Sequence, residues 1–138
     1  MPLPKHLNEQ SLGYALHTNR ELGLMLKGQK PLAMFADRYG RFPEVVLRYL
    51  RMFDRYAERG LLIKREYVEL RQLASSRCVH VVLYAAPLEQ WRIEAMQALR
   101  WRADWGSEAC ERVEGKLLGY TDQQNDLWLV RPKAPPPI

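Results

Sequence analysis

The run Val79-His80-Val81-Val82-Leu83-Tyr84-Ala85-Ala86 constrains this chain more than any other stretch. It is rich in β-branched residues and apolar at odd and even positions alike. A strand of that kind is buried and belongs in the centre of a sheet. Leu61 to Leu70 reads as its strand partner, with residues 71–78 as the connection. Leu32-Ala33-Met34-Phe35-Ala36 is a further short apolar run, read as strand.

Helix signals surround these strands. Thr18-Asn19-Arg20-Glu21 has the form of a capping box. The helix it opens turns Leu22, Met25 and Leu26 inward and stops near Gly28. A helix from about Glu9 to His17 is weakened by Gly13, and residues 1–10 read as a loose lead. After a turn over Asp37 to Phe42, Pro43 suits the first position of a helix that runs to Arg59 and stops at Gly60. Pro87 opens another, from Leu88 to about Ala103. One of its faces carries Trp91, Ala95, Ala98, Leu99 and Arg102, another Ile93, Met96 and Arg100. Ser107 caps a helix to about Leu118, ended by Gly119. Thr121 to Gln124 forms a second capping box, opening a short helix over Asp122 to Val130.

The coarse order is therefore α-β-α-β-β-α-α-α. It predicts a single α+β domain over residues 1–131, with a small, mainly antiparallel sheet of about three strands covered by four to five helices. Residues 132–138, with Pro135-Pro136-Pro137, form a polyproline-like tail. A helix lies between the Leu32 and Leu61 strands, so a parallel pair through a right-handed crossover is also compatible with the pattern.

Charge is the feature that points outward. The chain carries a formal +5, and residues 38–77 hold ten Lys/Arg against five Asp/Glu, while the remainder is balanced. Within that stretch Arg48, Arg51, Arg55 and Arg59 fall within roughly 80° of arc on one helix, at about 100° per residue. Val46, Tyr49, Leu50, Phe53 and Ala57 occupy the opposite face and read as core. Arg41, Lys64 and Arg65 extend the basic set. Arginines outnumber lysines 15 to 6, and guanidinium forks suit carboxylate and phosphate. The same face also reads as an ordinary solvated one. Glu44, Asp54 and Glu58 stand beside the arginines and leave the helix only +1.

Other chemistry-bearing residues carry less. Trp101, Arg102 and Trp105 suit a stacking platform or a protein hot spot; the four tryptophans, Trp91 and Trp128 included, equally suit core packing. Asp122 and Asp126 share a helix face, but they also fit a first-turn anion and its solvated neighbour. His6, His17 and His80 have no metal-ligand spacing, and His80 reads as a satisfied core residue. Cys78 and Cys110 read as reduced thiols of a cytoplasmic protein, with no base to activate either. The glycines stand singly, with no phosphate loop and no nucleophile motif. No segment has the roughly 20 apolar residues needed to cross a bilayer, and no signal peptide or lipidation motif is legible.

These observations describe a cytoplasmic protein, prokaryotic in style, that binds and does not catalyse. Its expected site is Arg41, Arg48, Arg51, Arg55, Arg59, Lys64 and Arg65, without metal or cofactor. The expected partner is an acidic macromolecular surface, as for an inhibitor, immunity protein or adaptor. A nucleic-acid binder using the same arginines on phosphates is the alternative, and a small enzyme with a site assembled across the fold stands well behind.

Overall fold

The element order matches the pattern read from the residues. The computed structural model describes residues 20–72 and 76–130, in which the elements are α1 (Glu21–Leu26), β1 (Leu32–Arg38), α2 (Glu44–Glu58), β2 (Ile63–Gln72), β3 (Ser76–Ala85), α3 (Trp91–Arg100), α4 (Glu108–Leu117) and α5 (Asp122–Leu129). The expected helix upstream of Thr18, the Thr18 cap itself and the proline-rich tail lie outside the described residues. β3 is central and pairs antiparallel with both neighbours, giving the sheet order β1-β3-β2. This is the α+β class with a small antiparallel sheet. The parallel pair does not form. β1 and β2 run the same way, but β3 lies between them, because the fully buried Val81 to Ala85 needs a ladder on each side.

Strand parity splits the core in two. Val81, Leu83 and Ala85 of β3, with Leu32 and Met34 of β1, face α3 and α4, where Ile93, Met96, Leu99, Cys110 and Leu117 cover them. Val82 and Tyr84, with Ala33 and Phe35, face α1 and α2, where Leu22, Met25, Leu50 and Phe53 cover them. The sheet is thus clad by helices on both sides. The residues expected inward on α2, Val46, Tyr49, Leu50, Phe53 and Ala57, all join this second core.

Several boundaries moved for local reasons. Pro43 is the N-cap of α2, with extended ψ of 151°, and not its first helical residue. Pro87 does not open α3. The chain first turns through Leu88 at φ 74°, and the helix starts only at Trp91 and ends at Arg100. Its buried stripe is Ile93, Met96, Leu99 and Arg100, so Trp91 and Ala98 face outward. α1 has Arg20 at its N-cap with no side-chain cap, and Leu26 is exposed. The β2–β3 strands extend to Gln72 and from Ser76, so their connection is shorter than residues 71–78. The Thr121–Gln124 capping box forms as expected, and Ser107 accepts from the Cys110 N–H.

The end of α4 is fastened to the start of β1. Lys30 is buried; its Nζ donates to the Leu118 carbonyl at 2.5 Å and lies 5.1 Å from the Tyr120 ring centroid. Burial pulls the Lys30 ammonium down to about 8, partly offset by Glu21. Gly119, at φ 95°, leaves its side open to the Pro31 ring, and a Cβ there would stand 2.6 Å from Pro31 Cδ. Gly119→Ala should therefore cost about 1–3 kcal/mol in thermal or denaturant unfolding, from left-handed strain plus the ring clash. Gly28→Ala, at φ 73° with open space around it, carries only the strain and should cost less. Equal losses in the two variants would deny the Pro31 contact any role.

Candidate functional site

α2 supplies the candidate surface. Phe53 and its neighbours are locked against the sheet, which turns the polar half of the helix to solvent. Arg48, Arg51, Arg55 and Arg59 are all exposed there. Arg48 Nε lies 3.6 Å and Arg51 Nη2 3.3 Å from the same Glu44 Oε1, with 60–72% of these three side chains exposed. Ion pairs that wet are worth about 0–1 kcal/mol, so an incoming carboxylate competes with Glu44 easily. Arg55 has no carboxylate within ion-pair distance among the described residues. Arg59 rests its guanidinium 5.9 Å from the Tyr56 ring centroid. Arg41 is exposed in the turn that leads into the helix.

The remaining two expected members lie elsewhere. Lys64 sits on the α2 side of the sheet but is engaged, with Nζ 2.9 Å from Asp54 Oδ1; the same Asp54 oxygen accepts from the Tyr84 hydroxyl at 2.6 Å. Arg65, one residue on, points to the opposite side by the strand's two-residue period and donates to Gln97 Oε1 of α3 at 2.9 Å. The structure therefore brings the four helix arginines together, with Arg41 ahead of them, and separates Arg65 from them by the thickness of the sheet.

Beside the arginines is an apolar shoulder that their spacing did not reveal. Val45 is 71% and Met52 47% exposed, and together with Val46, Tyr49 and Arg48 they line a groove of about 330 Å³. The signal was present in the helical period: positions 45 and 52 fall on one side of the arginine arc, seven residues apart.

The other singled-out residues divide as follows. Trp105 is half-buried, with the guanidiniums of Arg100 and Arg71 at 4.9 and 5.6 Å from its ring, whereas Trp91, Trp101 and Trp128 are exposed. Core packing thus accounts for only one of the four. Arg102 forms a surface pair with Asp104 at 2.8 Å and does not join Trp105 in a platform. Asp122 and Asp126 pair with Lys116 and Arg112, at 3.6 and 2.7 Å. Among the described residues no three His, Cys, Asp or Glu groups gather as a metal site. Cys110 of α4 is buried in the core on the α3 side of the sheet while Cys78 is exposed on the other side of β3, and the two are not bonded. His80 is not a core residue. It is half-buried between the rings of Tyr39 and Phe42 and bonds Glu66 Oε2 at 3.0 Å. Cys78 shares that side of β3, but no described cavity encloses the group.

A further cavity lies between α4 and α5. It is about 410 Å³ and is lined by Glu111, Glu114, Gly115, Leu118, Tyr120, Asn125 and Trp128. Burial pushes the Glu114 carboxyl up, against the pull of Arg100. No protein-family model, curated protein or solved structure matches this chain. No helix among the described residues is long and apolar enough to cross a membrane.

Proposed function

We propose that this is a non-catalytic binding protein that docks on an acidic protein surface through the outer face of α2. Arg48, Arg51, Arg55 and Arg59 supply the charge, and Val45, Met52 and Tyr49 supply the desolvated contact beside it. The observation that carries this reading is the pairing of the arginine arc with an exposed apolar groove on one rigid helix. Protein interfaces combine apolar anchors with arginine in this way. A surface built for phosphates alone has no use for exposed Val45 and Met52, nor for Glu44 and Glu58 among its cations.

Changing Arg48, Arg51 and Arg55 together to Ala should leave the unfolding transition nearly unmoved, since surface substitutions of this kind fall within about 0.5 kcal/mol each. Capture of an acidic partner from nuclease-treated extract of the native host should drop at least about tenfold, with each 1.4 kcal/mol lost equal to one decade. Unchanged capture by the folded variant would remove α2 as the site. Tight binding of plain duplex or single-stranded nucleic acid, falling by roughly 0.7–0.9 log units per contact per decade of salt, would replace the protein partner with a phosphate backbone.

A further inference from the structure

The α3 side of the sheet ends in a cluster with more cationic donors than acceptors. Glu69 of β2 is 1% and Arg100 of α3 6% exposed. Glu69 Oε1 accepts from Arg100 Nη2 at 2.9 Å and Arg71 Nε at 3.1 Å; Oε2 accepts from Arg100 Nε at 3.0 Å and the Tyr67 hydroxyl at 3.3 Å. That carboxylate is saturated. Arg77 of β3 stands directly across the ladder from Arg71, on the same side of the sheet. Side chains so placed have Cβ atoms about 4.5–5.5 Å apart, and like charges there repel. Arg77 Nε is buried and has no hydrogen-bond acceptor among the described residues. Arg71 Nη2 is also buried; it lies 3.0 Å from Glu69 Oε1 but out of line for a hydrogen bond. Arg38 of β1, paired with Val79, adds a further cation at this end of the same side. Glu114 of α4 is a second carboxyl within electrostatic reach of Arg100, and burial disfavours its charged form.

Two arginines paired across a ladder on one side of the sheet, each with a buried nitrogen that makes no hydrogen bond, gain from an anion placed between them. We propose that Arg71 and Arg77 form a binding site for a phosphate group, held in place from below by the Glu69–Arg100 pair and the Trp105 ring. Three guanidiniums against one carboxylate leave a local excess that matches the charge of about −1.5 to −2 on a phosphate monoester at neutral pH. The flat forks of arginine match its oxygens in pairs. The site is on the opposite side of the sheet from the α2 arginines and does not depend on them.

The test compares unfolding of the full chain in sodium phosphate and in sodium chloride at equal ionic strength and pH, with calorimetric titration of inorganic phosphate and of a nucleoside 5′-monophosphate. Phosphate should raise the unfolding temperature where chloride does not. Equal affinity for the two probes assigns the site to the bare ion, and tighter nucleotide binding assigns it to a phosphate ester. Arg77→Gln should weaken phosphate binding by about 10–100-fold, the worth of one charged hydrogen bond. Should that variant fail to fold, Arg77→Lys keeps the charge, removes the fork, and should weaken binding about tenfold. The Arg48, Arg51, Arg55 triple variant should bind phosphate as the wild type does. Absence of any phosphate effect beyond chloride, unchanged affinity in the Arg77 variants, or loss of binding in the α2 variant overturns the proposal.

Discussion

Glu69→Ala should destabilise this protein by about 3–5 kcal/mol, the cost of leaving a buried guanidinium without its carboxylate. Arg100 loses three of its hydrogen bonds, and Arg71 and the Tyr67 hydroxyl lose theirs. Urea unfolding checks this, with the midpoint falling and the slope unchanged. Replacing both partners, Glu69→Leu with Arg100→Met, should return most of the loss, because no charge is then stranded. The pH arm has a definite sign. Burial pushes the Glu69 carboxyl up, but the Arg100 and Arg71 guanidiniums outweigh it and hold the group below the usual carboxylate range. A carboxyl lowered on folding stabilises fully above its unfolded value of about 4.3, and that stabilisation drains as pH falls through the folded value. Wild type should thus lose stability more steeply than the double variant below about pH 4. A Glu69→Ala loss under about 1 kcal/mol would mean that solvent reaches the pair, contrary to its burial.

Phe53→Ala should cost a similar amount, about 3–5 kcal/mol. Phe53 is fully buried, stacks on Tyr84 at 4.6 Å between centroids, and meets Tyr49 and Phe35 edge-on at 5.0 and 5.4 Å. Truncation removes the ring that fastens α2 to the sheet. On the proposed docking role, partner capture should fall with stability in this variant, whereas the arginine triple variant should lose capture alone. Phe53→Leu should cost distinctly less, since much of the volume remains. If Phe53→Ala unfolds at the wild-type midpoint, α2 is held by other contacts and its rigidity as a docking face is misjudged.

Much of the architecture was readable because it follows short-range rules. The apolar content of Val79 to Ala86 demanded a central strand, and the 3.6-residue period of Val46, Tyr49, Leu50, Phe53 and Ala57 demanded one inward helix face. The arginine arc came from that same period. Lys64 and Arg65 were grouped with it by nearness in sequence alone, and adjacent strand residues point to opposite sides. The turn through Leu88 escaped notice because a positive φ at leucine has no local signal. Arg100 was placed on the Ile93 and Met96 stripe, but nothing in α3 announced that Glu69 would meet it, 31 residues earlier.

Helix and strand identity, the inward faces and the outward arginines of α2 were thus determined by the residues themselves, since periodicity and capping act within a few positions along the chain. Only the tertiary structure decided that β3 separates β1 from β2, that Arg65 leaves the basic surface, and that Arg71, Arg77, Arg100 and Glu69 converge on one end of the sheet. The physical reason is range. Ladder register and layer packing join groups tens of residues apart, and the energy of a charge depends on what those distant elements place beside it.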